Sequence, residues 1–286
     1  MFGKQKYRMW FGSIALAVSA LIALPAEAAT KRQTVIVKAG KKSSPCAKRL
    51  VRVRYVVPAV PSFGQQLGLH AADDPLDLRS AAVLVLDQDT NEVLLAKNQH
   101  AVLPIASITK LMTALVVADA AQPMDEVLMI TAEDIDTEKG SGSRLQFGTQ
   151  LTRGEMLHLA LMASENRAAN ALGRHYPGGL PAIVEAMNRK AHTLGMTNTR
   201  YVEPTGLSSR NQSNATDLAL LVREADKNHM IRRLSTSPET EVAVGLRAVH
   251  FRNTNSLVRN SDWTIGLQKT GYIAEAAGCL VMQAEL

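Results

Sequence analysis

The stretch that decides the fold runs from residue 104 to residue 113 and reads Pro104-Ile105-Ala106-Ser107-Ile108-Thr109-Lys110-Leu111-Met112-Thr113. Ser107 and Lys110 are three residues apart, a spacing that places two side chains on one face of a helix. Apolar residues at helical spacing continue beyond them, so the pattern predicts a helix from Ser107 to Ala120. Ser107 then lies near a helix N-terminus, where free N–H groups and the helix dipole favour an alkoxide.

Two further motifs follow in the chain, Ser164-Glu165-Asn166 and Lys269-Thr270-Gly271. A serine hydroxyl is a weak nucleophile at neutral pH and needs a base within hydrogen-bond reach. Lys110 can act as that base if burial, or a second cation such as Lys269, lowers its pKa. Each motif alone is common on surface helices, in turns or at strand ends. The three in this order match the signature of penicillin-binding proteins and β-lactamases.

On these motifs the chain resembles the serine D-Ala-D-Ala peptidases, the low-molecular-mass penicillin-binding proteins, and within them the D-alanyl-D-alanine endopeptidase branch. The resemblance runs from about Arg79 to the C-terminus and is carried by residues 104–113, 154–169 and 268–273. It implies a two-lobed α/β fold like that of β-lactamases and transpeptidases. One lobe is an antiparallel sheet packed by helices, and the other lobe is all helical.

The same resemblance implies roles for the residues of the first two motifs. Ser107 is expected to attack the carbonyl of the penultimate D-alanine and to form an acyl-enzyme, with Lys110 as its general base. Ser164 is expected to relay the proton toward the leaving amine. Asn166 is expected to donate to the substrate amide and to orient Lys110. Glu165 is expected to face away as a solvated or structural residue.

The third motif is expected to bind substrate. The resemblance implies that Lys269 attracts the substrate carboxylate, that Thr270 donates a hydrogen bond to the substrate, and that Gly271 and Tyr272 continue the same binding strand. It places the oxyanion hole at the backbone N–H groups of Ser107 and Tyr272, so the side chains there do not matter for this role.

The implied activity is hydrolysis of peptide cross-links in peptidoglycan, with peptidoglycan peptides as substrates and β-lactams as covalent inhibitors. Endopeptidase and carboxypeptidase activity both remain open. No cofactor or metal is expected: Glu155 and His158 share a helix face, but two ligands do not make a zinc site. Nucleic acid is not expected as a partner, because the chain carries an export signal and few aromatic residues.

The first 28 residues have the pattern of a secretory signal peptide. Three basic residues precede the apolar run Trp10 to Leu24, and the small-residue sequence Ala26-Glu27-Ala28 follows it. This pattern predicts cleavage after Ala28 and a periplasmic mature protein. A membrane anchor is the alternative, but the run is shorter than the roughly 20 residues that a span needs.

Residues 29–79 are predicted to form a basic, flexible arm, followed by a catalytic domain over residues 80–286. The arm carries a net charge of +7, whereas residues 80–286 carry −3. Such an arm either attracts an anionic wall polymer or membrane surface, or is a solvated linker.

Within the catalytic domain the pattern predicts a β-hairpin, then a block of helices, then two strands. Thr152 and Glu155 form a capping box that starts a helix, and Gly195 ends another. Residues 140–143 are predicted to be a flexible segment beside the cleft. The remaining elements are hairpin strands at 81–87 and 92–96, a helix capped by Thr216, and strands at 263–272 and 278–284.

The resembled fold has one more strand and a terminal helix after residue 284. The domain is therefore expected to be truncated. That strand lies between the hairpin and the strand 278–284, so its absence is expected to leave two rows of backbone groups unpaired.

Two other functions compete with the peptidase. A class A β-lactamase shares the first and third motifs, but it uses a loop glutamate to activate the deacylating water. Glu185 lies on a predicted helix, and Glu203-Pro204-Thr205-Gly206 lacks the pattern of that loop, so fast β-lactam turnover is not expected. The second alternative is a non-catalytic relic that only binds peptidoglycan or β-lactam.

Overall fold

The computed structural model describes residues 14–17 and 60–285. These residues contain eleven strands. They are β1 (Ile14–Ala17), β2 (Val83–Asp87), β3 (Val93–Lys97), β4 (Leu103–Pro104), β5 (Val127–Met129), β6 (Gln150–Thr152), β7 (Gln212–Ser213), β8 (Glu239–Val244), β9 (Arg247–Arg252), β10 (Thr264–Ile273) and β11 (Ala277–Glu285).

The described residues also contain seven α-helices, and 3₁₀ turns lie at Leu69–Ala71, Ala106–Ile108, Ala132–Asp134 and Ser256–Arg259. The helices are α1 (Phe63–Gln66), α2 (Thr109–Asp119), α3 (Arg153–Met162), α4 (Asn166–Arg174), α5 (Gly179–Thr193), α6 (Ala215–Asp226) and α7 (His229–Ser235).

A five-stranded sheet in the order β10-β11-β1-β2-β3 forms one layer, and its paired strands are antiparallel. Helices α6 and α7 pack against it. Helices α3, α4 and α5 pack against one another and against α2, which is buried from Thr109 to Val117. Helix α2 therefore lies between the helical lobe and the helices α6 and α7 that pack on the sheet.

Local sequence explains where the helices begin. Thr152 and Glu155 form the predicted capping box at the start of α3, with reciprocal bonds between their side chains and backbone N–H groups. Helix α6 begins earlier than predicted. Its N-cap is Asn214, whose side chain accepts from Asp217 N, so Thr216 lies inside the first turn. An asparagine oxygen is at least as good an N-cap acceptor as that of threonine.

Residues 60–79, which the sequence assigned to the arm, pack on the domain. Helix α1 starts with a capping box at Ser62. Lys97 on β3 forms a buried ion pair with Asp74 at 2.7 Å and also donates to the carbonyl of Leu78. Asp74 in turn accepts from backbone N–H groups of its own turn. The packed part of the chain therefore begins before residue 80, and residues 29–59 lie outside the described residues.

Strand β1 lies between β11 and β2, in the place that the sequence analysis expected to be empty. It pairs with the end of β11 through Glu285 and Ala284, and with β2 from Val85 to Asp87. Part of each flanking strand is therefore paired. Strand β1 falls within the segment predicted as a leader, most of which lies outside the described residues, and cleavage after Ala28 would remove it.

Between residues 60 and 285, the strands outside the five-stranded sheet form two-stranded sheets. The hairpin β8–β9, which the sequence analysis did not predict, turns at Gly245 and carries the exposed Leu246 at its tip. The other two pairs are short, β4–β7 and β5–β6, and β5–β6 contacts helix α3 of the helical lobe. Within the described residues, no helix has both the length and the apolar character that crossing a membrane requires.

Candidate active site

Ser107 lies in the 3₁₀ turn that leads directly into α2, so the α-helix itself begins two residues later than predicted. The residue before it, Ala106, has a positive φ of 47°. Thr109 stabilises this backbone by donating from Oγ1 to the carbonyl of Ala106 at 2.8 Å. Strained backbone held by its surroundings is common at functional sites, because it fixes a side chain in one orientation.

Lys110 is buried, and its Nζ contacts three acceptors. They are Ser107 Oγ at 2.8 Å, Asn166 Oδ1 at 2.7 Å and the carbonyl oxygen of Thr205 at 2.5 Å. An ammonium has three N–H donors and satisfies all three acceptors. A neutral amine has only two, so it can donate to Asn166 and Thr205 while its lone pair faces the Ser107 hydroxyl. This arrangement is suited to general-base catalysis.

Burial lowers the pKa of Lys110 to about 8, and the carboxylates of Glu203 and Glu165 oppose that shift. Desolvation favours the neutral form of a buried amine, whereas a nearby negative charge favours the ammonium. A substantial fraction of Lys110 is therefore neutral near physiological pH.

Lys269 on β10 is also fully buried, and its Nζ donates to the carbonyl of Thr270 at 2.8 Å. Burial first, and the charge of Lys110 second, hold the pKa of Lys269 well below its usual range. The pKa of Lys110 responds to burial and to the charges of Glu203 and Glu165, and Lys269 is not among these causes. Burial, rather than this second cation, is therefore the cause of the Lys110 shift in the free protein.

Ser164 and Asn166 lie where α3 ends and α4 begins. Ser164 has a positive φ of 58°, and its hydroxyl makes no hydrogen bond to any residue between 60 and 285. Asn166 is the first residue of α4; its amide oxygen accepts from Lys110 and its Nδ2 donates to Ser141 Oγ at 3.0 Å. The Ser164 hydroxyl is thus free of hydrogen-bond partners among these residues.

Glu165 is buried, so of the two predicted alternatives the solvated one is wrong and the structural one fits. Its carboxylate accepts from the Ser143 hydroxyl, and burial raises its pKa against the opposing effects of Ser143, Arg144, Lys110 and Arg167. The segment 140–143 therefore lies beside the cleft, where Ser141 and Ser143 contact the second motif.

The third motif lies on β10, an edge strand that contacts the turn carrying Ser107. A Cβ on Gly271 would lie 2.8 Å from Ser107 N, so only glycine allows β10 to approach this closely. Thr270 Oγ1 lies 2.5 Å from Thr254 Oγ1, and the Tyr272 side chain is largely exposed. The structure thus brings the backbone of the third motif to Ser107, with the Tyr272 ring in solvent.

The contact between Thr205 and Lys110 is not predicted by any sequence pattern. We name residues 203–208 the backing loop, because its backbone lies against both Ser107 and Lys110. Gly206 has a φ of 82°, and a Cβ there would overlap the carbonyl of Ala106. A backbone carbonyl carries no side-chain signature, and the only signal was Glu203-Pro204-Thr205-Gly206 between the second and third motifs.

Glu155 and His158, which share a face of α3, have structural contacts. Glu155 completes the capping box of α3, and burial lowers the pKa of His158. Among residues 60–285 there is no cluster of three or more histidine, cysteine or acidic side chains arranged to hold a metal ion.

Comparisons with known proteins agree with this geometry. The sequence model of the D-alanyl-D-alanine carboxypeptidase family matches residues 69–286. The chain is 50% identical over 212 residues to a D-alanyl-D-alanine endopeptidase of Pseudomonas aeruginosa, covering 73% of this chain and 68% of that one. It is 43% identical over 229 residues to a D-alanyl-D-alanine endopeptidase of Escherichia coli, covering 79% and 74%.

Solved structures show the same fold. An evolved penicillin-binding protein homologue from Mycobacterium tuberculosis aligns with a TM-score of 0.63 at 26% identity, covering 75% of this chain and 84% of that one. Penicillin-binding protein D2 of Listeria monocytogenes, in its cefotaxime-bound form, aligns with a TM-score of 0.62 at 26% identity, covering 71% and 87%. The predicted two-lobed α/β fold is confirmed, and the chain belongs to the D-alanyl-D-alanine carboxypeptidase family.

Proposed function

We propose that this chain is a serine-type D-alanyl-D-alanine peptidase that opens peptide cross-links in peptidoglycan and is acylated by β-lactams. The observation that carries the proposal is the set of three contacts at Lys110 Nζ, to Ser107 Oγ, Asn166 Oδ1 and Thr205 O. They support a lysine whose lone pair, in its neutral form, faces the serine hydroxyl. The family match and the endopeptidase relatives support the choice of substrate.

In the proposed reaction, neutral Lys110 takes the proton from Ser107 as Oγ attacks the carbonyl of the penultimate D-alanine. The C–N bond then breaks, and the departing amine receives a proton. Ser164, two residues before Asn166 in the chain, is proposed to pass that proton on, and its hydroxyl, which has no hydrogen-bond partner among residues 60–285, is available to the substrate. Water later attacks the Ser107 ester and releases the shortened peptide.

The third motif is proposed to hold the leaving side of the substrate. Lys269 is buried beside Thr270, and a substrate carboxylate placed there would raise its pKa again and pair with the ammonium. Thr270 would donate a hydrogen bond to the substrate. The oxyanion hole is proposed at the N–H groups of Ser107 and Tyr272, and the close approach of Gly271 to Ser107 N supports this location.

The backing loop weighs against a class A β-lactamase. A deacylating base needs a free carboxylate oxygen to activate water. Both oxygens of Glu203 already accept hydrogen bonds, from the backbone of Thr205 and Gly206, from the Thr205 hydroxyl and from Asn211. We therefore expect a long-lived penicilloyl-enzyme instead of rapid turnover.

Labelling with a fluorescent penicillin tests the acylation step. The purified chain should form a covalent adduct that maps to Ser107, and Ser107→Ala should abolish it. Label on another serine, or unchanged labelling of Ser107→Ala, would overturn the assignment.

Digestion of cross-linked muropeptides distinguishes an active peptidase from a non-catalytic relic. The peptidase should release monomers, and Ser107→Ala should not. Penicillin labelling without any cleavage would favour the relic. Parallel assays on a cross-linked dimer and on a free D-Ala-D-Ala peptide would show whether endopeptidase or carboxypeptidase activity dominates.

We further propose export to the periplasm and electrostatic attraction of residues 29–79 to anionic wall or membrane surfaces. The leader pattern and the net charge of +7 support these proposals. Cell fractionation tests the first. Salt-dependent cosedimentation with peptidoglycan tests the second, when the chain is compared with one lacking residues 29–59.

A further inference from the structure

The backing loop is held together by one carboxylate. Glu203 Oε2 accepts from Thr205 N at 2.5 Å and from Thr205 Oγ1 at 2.6 Å. Glu203 Oε1 accepts from Gly206 N at 2.7 Å and from Ser208 N at 3.3 Å. A carboxylate that accepts several backbone N–H groups fixes the loop around it, because each bond is charge-assisted.

The loop is also fastened to helix α2. Thr113 Oγ1 donates to the carbonyl of Pro204 at 2.7 Å, and one turn earlier Lys110 donates to the carbonyl of Thr205. Both bonds lie in the buried interior. Successive carbonyls of the loop therefore meet successive turns of the helix that carries the base.

Asn211 joins the same network to the nucleophile. Its Nδ2 contacts Glu203 Oε1 at 2.8 Å and Thr109 Oγ1 at 3.1 Å. Thr109 in turn donates to the carbonyl of Ala106, directly before Ser107. A chain of hydrogen bonds thus runs from the Glu203 carboxylate to the strained backbone before the nucleophile.

We propose that Glu203 is a positioning residue for catalysis, which fixes the Thr205 carbonyl against Lys110 so that the lysine lone pair faces Ser107. The inference rests on the proposed role of Lys110 as general base. Glu203 does not touch the reacting atoms. It acts through the backing loop, and its charge also acts on Lys110 through space.

The charge effect has a definite sign. The ionisable groups that face Lys110 are Glu203 on the backing loop, Glu165 at the start of α4 and Lys269 on β10. The Glu203 carboxylate raises the pKa of Lys110, so its removal lowers that pKa further. Acylation should then begin at a lower pH, although loss of the fixed carbonyl slows it at every pH.

Glu203→Gln tests both effects, with rates of acylation by a chromogenic cephalosporin measured from pH 5 to 10. Glutamine keeps the shape, but its NH₂ cannot accept from a backbone N–H. The expected result is a midpoint at lower pH than in the parent and a plateau rate reduced by at least about tenfold. The matched control is Glu185→Gln, an exposed glutamate paired with Arg189 on α5, which should change neither quantity.

Thr113→Val distinguishes the positioning effect of Glu203 from the effect of its charge. The same variant tests the proposal if Glu203→Gln does not fold. It removes the bond to Pro204 but leaves the carboxylate in place, so the plateau rate should fall while the midpoint stays unchanged.

A Glu203→Gln enzyme with the parent's midpoint and a plateau within twofold of the parent would overturn the inference. So would a Thr113→Val enzyme with an unchanged plateau. Failure of the parent itself to be acylated would instead overturn the proposed function.

Discussion

The amide oxygen of Asn166 lies 2.7 Å from Lys110 Nζ, although the two residues are 56 positions apart in the chain. This hydrogen bond joins the helical lobe to helix α2, which follows the proposed nucleophile Ser107. Because the acceptor is a neutral amide, it orients the lysine without adding a negative charge that would hold its proton. The difference between an amide and a carboxylate at this position therefore controls the availability of the base.

Asn166→Asp is expected to slow acylation at neutral pH. A carboxylate at hydrogen-bond distance raises the pKa of a lysine by about 1–3 units. The pH at which the acylation rate reaches half its plateau should therefore move upward, and the rate at pH 7 should fall by about tenfold or more. A pH–rate profile with a β-lactam checks this, and a midpoint at or below the parent value would contradict it.

Lys269→Ala should weaken both acylation and recognition of the substrate carboxylate. Loss of one charge-assisted hydrogen bond costs about 1.5–3 kcal/mol. Two peptide substrates that differ only in a free or amidated C-terminus provide the measurement. The parent should prefer the free acid, and the variant should lose most of that preference. An unchanged preference would show that another group binds the carboxylate.

Glu165→Gln should stabilise the protein at neutral pH. Burial raises the folded-state pKa of Glu165, so the folded protein binds this proton more tightly than the unfolded chain. Stability from this group is then fully present below the unfolded pKa and is lost as pH rises through the folded pKa. Glutamine imitates the protonated form. The Tm should exceed that of the parent at pH 7, with the difference vanishing toward pH 4, and a lower Tm at pH 7 would contradict this.

Gly206→Ala should disable the site, and Gly245→Ala should not. Both glycines have positive φ, 82° and 62°, so both substitutions carry the backbone cost of about 1–2 kcal/mol. Only at Gly206 would the new Cβ overlap the carbonyl of Ala106, whereas at Gly245 nothing lies within 4 Å. Acylation by a fluorescent penicillin should fall by at least about tenfold in the first variant alone. An equal loss of acylation in both variants would show that backbone strain, and not the overlap with Ala106, is the cause.

The elements that could be predicted from the sequence are those whose structure depends on residues close together in the chain. The capping box at Thr152, the hairpin β2–β3 and the strands β10 and β11 all depend on neighbouring residues, and the structure confirms them. The cap of α6 was placed two residues late, because Asn214 and Thr216 are both good N-caps and only the structure shows which one accepts.

The missed features depend on distant contacts. Thr205 lies 95 positions from Lys110 in the chain and accepts its hydrogen bond through a backbone carbonyl. Every residue type has such a carbonyl, so no sequence pattern indicates the contact. The burial of Glu165 likewise depends on Ser143, a residue of a separate loop. Tertiary packing decides such contacts.

Gly206 and Gly271 lie against the same peptide unit, the one that joins Ala106 to Ser107. A methyl group at either position would collide with the backbone of Ser107, the proposed nucleophile. Neither glycine can therefore be replaced by a larger residue unless Ser107 moves. Resistance to β-lactams is therefore not expected to arise by narrowing the pocket at these two points. Selection for resistant forms should instead favour substitutions among the carboxylates and amides around Lys110, where changes in charge can alter reactivity while the backbone stays in place.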